Sequence, residues 1–510
     1  MPRVTSLSTR GEQDGPVGTT TRRFLGLLCL GVVLVRATYV PRPLRNDEGG
    51  YLLIARHWHT GGEFLYGDYF VDRPPLLMLI FKVAALTEWD QAIRVIAIPF
   101  VVLFVLAAWR SGSLLAGRTG GRWAALVGAG FMCSPGLGAD QTEGELFGAV
   151  FVMVALALAL SAWYAESSAR TRWYAAAAGA FAVAAPLIKQ NLLEGGLCLA
   201  GLVLFAYRAG APARRRAVLM APAAALGALV PCASVGLWLT SAGIAPAAAW
   251  RELVSFRGAA LAAILSGSPD ATIRRAEQLL VLGIVTGILP IVLLWFVRGS
   301  RCLGSRSPER RTITALMVFG ALAIVAGGSY WPPYLLQLAP AAVLAAGAMA
   351  PLASTAGSWM RALGMAVLAA AAVGTVAGIV VHAAVPSAWF SQRMGEWLAD
   401  SEASGDTAFV AYGLPSVLES ADMGSPYPYL WSVPVRTLDP EEARLRATLA
   451  GPRAPTWVVD VTGLNAWKID ADSRLRDLLR QRYRLVAEVC GHPIWLRQDA
   501  TRELSAPPPC

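Results

Sequence analysis

A polar stretch rich in acids, from Pro41 to about Gln91, follows the first apolar run of the chain. It reads Arg45-Asn46-Asp47-Glu48-Gly49-Gly50-Tyr51, then Ala55-Arg56, Gly61-Gly62, Tyr66-Gly67-Asp68 and Asp72-Arg73-Pro74-Pro75-Leu76. A carboxylate pair just past an apolar run is costly unless it meets water, a cation or a substrate. Asp47 can accept a proton from a hydroxyl, the task of a general base. Arg73 can grip a phosphate through a charge-assisted fork, and Pro74-Pro75 stiffens the chain beside it. The same residues can instead form a solvated loop whose charges sit among lipid headgroups. On residue chemistry alone the two readings stand level.

The elements that must position these residues are membrane helices. Of 510 residues, 55% are hydrophobic and 15% charged, where an average soluble protein is about a quarter charged. That excludes disorder, a collagen-like chain and a disulfide-stapled secreted domain. After Met1–Thr21, polar and expected to be a disordered cytoplasmic tail, Arg22-Arg23 opens the run Phe24 to Val40, read as a retained first span because no A-x-A-like cleavage site follows. Further candidate spans are Ala92–Leu115, Trp123–Leu137, Leu146–Tyr164, Trp173–Ile188, Leu192–Tyr207, Val218–Leu239, Leu279–Val297, Ile313–Val325, Tyr334–Ala350 and Leu363–Ala383. The run Leu76–Leu86 contains Lys82 and is too short to cross about 30 Å of hydrocarbon, so it reads as an interfacial helix. With about eleven spans, the Arg-dense loops Arg110–Arg122, Glu166–Arg172, Arg208–Arg216 and Arg298–Arg311 all fall on the cytoplasmic side, as the positive-inside rule requires.

Three segments then emerge on the far side: the first loop, the stretch Gly243 to Gln278 with an amphipathic helix over Ala247–Ile264, and the tail from Pro386 to Cys510. The tail reads strand (Thr407–Tyr412), strand (Thr456–Val461), helix (Ser473–Tyr483), strand (Leu485–Val489) and strand (Pro493–Arg497). The domains expected are therefore 1–21, 22–385 and 386–510, the last a small α/β domain outside the cell. The net charge of +10 points to no nucleic acid, because the tail carries 13 basic and 16 acidic residues and the basic excess lies in the short loops. The 7 cysteines show no CxxC or Cys/His spacing, which gives little support to a metal site or a disulfide framework; a Cys490–Cys510 bridge is conceivable.

The series Asp47-Glu48…Tyr51…Ala55…Gly61…Tyr66…Asp68…Asp72-Arg73-Pro74-Pro75-Leu76 resembles the first external loop of GT-C membrane glycosyltransferases. More narrowly, it looks like the branch of protein O-mannosyltransferases and aminoarabinose transferases that use polyprenyl-phosphate sugars. Arg36 and Ala92-Ile93-Arg94 match that branch as well. The resemblance implies a catalytic carboxylate at Asp47 with Glu48 orienting it or the acceptor, and substrate contacts from Tyr51, Tyr66 and Asp68. In the second external loop the family carries a helpful carboxylate, matched here by Glu143 or Asp140, either of which can equally offset a helix dipole. Lys189 stands where the family often has a lysine; snorkelling to headgroups is its other reading. In Gly327-Gly328-Ser329-Tyr330-Trp331-Pro332-Pro333-Tyr334, Ser329 replaces the family's basic residue and Pro333 its histidine. Tyr330, Trp331 and Tyr334 can stack on a sugar or form an interfacial aromatic belt. Arg251 and Arg257 can meet a lipid phosphate or lie among headgroups.

The tail lacks the repeated strand triplets of a β-trefoil and looks like the α/β cap of bacterial members. Tyr427, Tyr429, Trp431 and Trp467 can bind acceptor glycan or form its core. The implied enzyme is an inverting transferase at the outer face of the cell membrane. It takes a mannose- or arabinose-like sugar from a polyprenyl monophosphate and passes it to a hydroxyl on a lipid, glycan or protein. No cofactor is expected and metal is not required, although a divalent cation stays open. A transporter or flippase of lipid-linked sugars is the alternative, disfavoured because the acids cluster in external loops rather than along the spans.

Overall fold

The computed structural model describes residues 18–299, 302–304, 307–385 and 389–510. The expected tail lies outside the described residues as far as residue 17. From Thr19 the chain is already helical, because the Thr21 and Arg22 amides bond back to the Gly18 carbonyl at 2.9 and 3.1 Å. The first helix therefore opens before Arg22-Arg23 rather than after it. The membrane part runs α1 (Thr19–Ala37), α2 (Asn46–Arg56), α3 (Pro75–Ala84), α4 (Ala92–Met132), α5 (Gly144–Tyr164), α6 (Ser168–Ala184) and α7 (Glu194–Ala206). It continues through α8 (Ala211–Ser241), α9 (Pro246–Trp250), α10 (Phe256–Leu265), α11 (Pro269–Val285), α12 (Ile288–Arg298), α13 (Pro308–Gly327), α14 (Ala339–Met349) and α15 (Thr355–Ala384).

Six of these segments are long and apolar enough to cross a membrane: α4, α5, α8, α13, Pro332–Met349 and α15, with α11 and α12 together a seventh. Three expected spans are differently shaped. The run Ala92–Leu115 and the run Trp123–Leu137 as far as Met132 belong to one 41-residue helical stretch broken at Ala116 and Gly117, where Gly117 takes φ +67°. The run Leu279–Val297 is bent by 70° between α11 and α12, and Gly287 at the bend takes φ +81°, a left-handed conformation that glycine adopts without a side-chain clash. Close helix approach rests on small residues, as expected where lipid supplies no hydrophobic drive between helices. A Cβ on Gly179 of α6 would lie 2.0 Å from the Ala224 carbonyl of α8, and one on Gly227 of α8 would lie 1.8 Å from the Ala176 carbonyl of α6.

Side-chain contacts sort the connections to two ends of the bundle. At one end the Trp163 and Tyr164 side chains donate to Glu309 at 2.8 Å, Arg311 lies over Phe205 and Arg122 over Phe24. At the other, Asn191 donates to Gln337 at 2.8 Å, Gln190 to the Leu253 carbonyl at 3.1 Å, and Arg275 lies over Trp331. The first loop sits at this second end. Within it α2 is held by a buried ion pair: Arg94 at the start of α4 donates to Glu48 at 3.0 and 2.6 Å and to the carbonyls of Tyr39, Arg42 and Pro43 at 2.7, 2.6 and 2.7 Å. Glu48 also accepts the Arg45 amide at 2.9 Å and the Thr142 amide at 2.8 Å.

Residues 389–510 hold α16 (Phe390–Ser401), β1 (Ala408–Val410), α17 (Pro415–Ser420), α18 (Ser432–Leu438), α19 (Ala443–Ala450), β2 (Trp457–Val459), α20 (Arg474–Arg482), β3 (Tyr483–Val489) and β4 (His492–Arg497). The sheet order is β1-β2-β4-β3, with β1 and β2 parallel and the other pairs antiparallel. Cys490 and Cys510 are disulfide-bonded, a bridge the scattered cysteines only allowed. This cap rests directly on α2. A Cβ on Gly49 would stand 2.7 Å from Ser416 Cα, and one on Gly50 would stand 2.4 Å from the Trp431 ring, so the paired glycines let α17 and Trp431 seat. Around them Glu419 takes Arg56 at 2.5 Å, Tyr69 accepts the Ser425 amide at 2.8 Å, and Arg444 forks onto Glu63 at 2.6 Å.

Breaking the Arg94–Glu48 pair by Arg94→Met leaves a buried carboxylate with no cation, a change that costs about 3–5 kcal/mol. Thermal unfolding in detergent should show a clear fall in melting temperature, and the double variant Arg94→Met/Glu48→Gln should recover most of it. Equal melting of wild type and Arg94→Met would sink this account of the anchor.

Candidate active site

Asp47 occupies the first turn of α2, where a carboxylate also offsets the helix dipole. With Glu48 turned inward to Arg94, the neighbouring Asp47 points the other way and keeps 29% of its side-chain surface exposed. Its Oδ2 accepts the Tyr51 hydroxyl at 2.7 Å, one helical turn on. Its Oδ1 accepts the indole N–H of Trp431 from the cap at 3.0 Å. The Tyr51 oxygen in turn accepts Arg73 Nε at 2.5 Å, and Arg73 Nη2 lies 3.6 Å from Asp47. Arg73, Tyr51 and Asp47 thus form one chain, with the guanidinium also over the Tyr51 ring at 5.3 Å.

Arg73 is aimed by its neighbours. Tyr66, buried against Trp58, donates to the Arg73 carbonyl at 2.7 Å, and Asp72 accepts Arg73 Nη1 at 2.9 Å. Arg257 reaches the same Asp72 carboxylate at 3.0 Å from α10. Burial alone would push the Asp72 carboxyl up, but Arg257 and Arg73 hold it below the usual carboxylate range. Gln190 ties the Asp72 carbonyl (2.7 Å) to the Leu253 carbonyl. Beside it Lys189 pairs with Glu145 and lies 4.4 Å over the Tyr334 ring. Glu143, at the N-terminal end of α5, is half-buried, and its carboxyl is pushed well above the usual range, first by desolvation and then by the charges of Asp47, Glu145 and Glu48.

The structure therefore brings together Asp47, Tyr51, Tyr66, Arg73, Glu143, Lys189, Arg257 and Tyr334. It sets the other candidates apart. Glu48 is 0% exposed with both oxygens engaged, so its carboxylate meets no substrate and acts only by anchoring α2. Asp68 is 73% exposed and faces His59 at 3.6 Å, outside the cluster. Asp140 pairs with Arg42 and Arg45 at 3.6 and 3.9 Å. Tyr330 bonds back to the Val325 carbonyl at 3.4 Å, and Trp331 is half exposed under Arg275; their segment turns away at Tyr330, whose φ is +56°. Arg251 is exposed. Site members not singled out from sequence are Asp72 as the shared partner of two arginines, Glu145 and Gln190. All three lie within or beside motifs read for other residues, and that adjacency was the available signal. Among the described residues, no group of three or more His, Cys, Asp or Glu side chains is arranged to hold a metal ion.

No protein-family model and no curated protein matches the chain. Solved structures do. The chain is similar to the crystal structure of ArnT from Cupriavidus metallidurans bound to undecaprenyl phosphate, at 15% identity and TM-score 0.61, over 94% of this chain and 98% of that one. The apo state of the same protein gives TM-score 0.60 over the same shares. Archaeal oligosaccharyltransferase AglB from Archaeoglobus fulgidus, in complex with an inhibitory peptide and a dolichol-phosphate, is similar at 11% identity and TM-score 0.52, over 94% of this chain and 75% of that one. The chain has the GT-C fold, a multi-pass membrane architecture.

A carboxyl whose pKa rises on folding makes folding less favourable as pH rises, because the unfolded chain releases its proton near pH 4.3 and the folded one only at higher pH. Glu143→Gln removes this linkage. The melting temperature of wild type should fall relative to the variant between pH 5 and 8, roughly the interval above the unfolded pKa. Parallel curves would show that Glu143 is ionised in the folded protein.

Proposed function

We propose that this chain is an inverting glycosyltransferase that moves a sugar from a polyprenyl monophosphate to an acceptor hydroxyl at the outer face of the membrane. One observation carries the reading: a partly exposed carboxylate, Asp47, is fixed by two neutral donors beside a half-buried guanidinium, Arg73, where the cap meets α2. The similar structures support the donor class, since one is bound to undecaprenyl phosphate and another is in complex with a dolichol-phosphate. The sugar, mannose- or arabinose-like, and the acceptor, lipid, glycan or protein, rest on the sequence resemblance alone.

In the proposed step Asp47 takes the proton of the acceptor hydroxyl as its oxygen bonds to the anomeric carbon. The carbon–oxygen bond to phosphate breaks on the opposite face, and its electron pair leaves with the polyprenyl phosphate. Arg73, Lys189 and Arg257 supply the cations that offset the leaving charge. Each now faces a carboxylate (Asp47 and Asp72, Glu145, Asp72 in turn), so the phosphate has to displace a carboxylate when it binds. Tyr51 links the two halves, donating to the base while receiving from the phosphate-binding arginine. The step as written does not require a metal; a divalent cation at the leaving phosphate is left open.

For topology we infer eleven passes. The six or seven long segments are supplemented by α1, α6, α7 and the second limb of α4, which keeps successive connections at alternating ends. The end holding Arg110–Arg122, Glu166–Arg172, Arg208–Arg216 and Arg298–Arg311 is then cytoplasmic. The cap lies outside, in keeping with its disulfide, a bond that persists in oxidising compartments.

Transfer of radiolabelled polyprenyl-phosphate sugar by purified protein in lipid tests the proposal. Asp47→Asn should lower kcat by about 10²–10⁴-fold, the range for loss of a general base, with little change in donor KM. Arg73→Ala should chiefly raise donor KM. Trp431→Phe, which removes one donor from Asp47 and keeps the ring, should lower kcat while leaving donor KM in place. Undiminished transfer by Asp47→Asn removes Asp47 from the mechanism, and export of intact lipid-linked sugar without transfer favours the transporter.

A further inference from the structure

The cap holds a cavity of about 490 Å³ whose lining includes none of the residues gathered around Asp47. That volume lies within the usual range of small-molecule sites, about 300–1,000 Å³. It opens at the carboxyl end of β2, beside the carboxyl end of its parallel partner β1, the edge where open α/β sheets bind ligands. Asp460 follows β2 directly, and its Oδ1 is fixed by the Gly463 amide at 2.8 Å. Thr462 ties the same loop to the Ala411 carbonyl past the end of β1, at 3.2 Å. From that end of β1 the chain runs into α17, the helix seated on α2.

Four further groups face the cavity with unspent bonding capacity. Arg476 and Arg480 are four residues apart on α20 and so share a face, where like charges repel. Neither lies in an ion pair among the described residues. Trp495 on β4 lines the opposite wall, and its indole N–H is buried without a hydrogen-bond partner. Asn465 brings an exposed carboxamide. A buried donor left unpaired is costly; Arg480 is exposed and Arg476 is half-buried near the Asp460 carboxylate of the same wall. A ligand that supplies an acceptor removes the first cost, and an anionic group on it relieves the repulsion between the two arginines.

This set of groups specifies the ligand's chemistry. An indole face takes the C–H surface of a sugar ring, a fixed carboxylate and a carboxamide bind its hydroxyls, and two guanidiniums fork onto a carboxylate or phosphate. We propose that the cap carries a binding site for a saccharide bearing an anionic group, a uronic acid or a sugar phosphate. The site is independent of the transfer chemistry at Asp47, and its position on the sheet edge that leads to α2 suits it to hold part of a glycan on the cap.

Calorimetry on the full chain in lipid nanodiscs tests this with four probes: glucuronate, glucose 6-phosphate, glucose and inorganic phosphate. The two anionic sugars should bind at least about tenfold more tightly than glucose, one charge-assisted contact being worth roughly 1.4 kcal/mol or more. Glucuronate against glucose 6-phosphate identifies which anion is preferred, and either preference supports the proposal. Arg476→Gln/Arg480→Gln should abolish the margin over glucose, and Asn465→Ala, in an exposed loop, should weaken both anionic sugars even if the double variant melts early. Three results overturn it: glucose binding as well as glucuronate, inorganic phosphate binding as tightly as glucose 6-phosphate, or unchanged affinity in variants that melt like wild type. The readout is binding, so loss of transfer by Asp47→Asn and loss of glucuronate binding are separate failures.

Discussion

A fully buried carboxylate, Glu48, bonded to an almost fully buried guanidinium, Arg94, is the constraint on which the site depends. Charges so far from solvent hold only when every lone pair and proton is matched. Here the matching groups come from the end of α1, the start of α2, the start of α4 and the Thr142 amide of the second loop. Four separate stretches of chain are brought to one point, and the geometry of α2 follows. Because successive helical residues cannot share a face, burying Glu48 presents Asp47 outward.

The cluster around Asp47 is then a meeting of two bodies. Tyr51 and Arg73 come from the membrane side, and Trp431 comes from the cap. Arginine suits the place of Arg73: it stays charged although buried, and its planar fork touches Tyr51, Asp72 and Asp47 at once. Glu143 lies in the same neighbourhood, its carboxyl pushed well above the usual range by desolvation and three nearby acids.

Much of this was legible in the residues. Apolar runs marked the membrane segments, Arg-dense loops sorted to one end, and the motif from Asp47 to Leu76 held the acid and the arginine that the structure places together. The breaks at Gly117 and Gly287 were not legible, because a glycine in an apolar run is compatible with a straight helix as well as a kink. Neither was the fate of Glu48, since two adjacent acids carry no sign of which faces inward until Arg94 is placed. Asp68 failed for a related reason: spacing in a loop does not reveal that Gly67, at φ +127°, turns the chain and leaves the next side chain in solvent. The Gly49-Gly50 pair stood in the motif without a reading of its own, and the structure shows that it leaves room for Ser416 and Trp431.

The hydrogen bond from Trp431 to Asp47 spans 384 residues of sequence. Translation at about 5–20 residues per second would put tens of seconds between the emergence of the two partners from the ribosome. Through that interval the growing polypeptide already has its membrane helices but not the indole that holds the Asp47 carboxylate from the cap side. A product lacking the last eighty residues would keep α17 on α2 but lose Trp431, α18 and the strands β2, β3 and β4. The surroundings of Asp47 are completed at the close of synthesis, in a single late docking event.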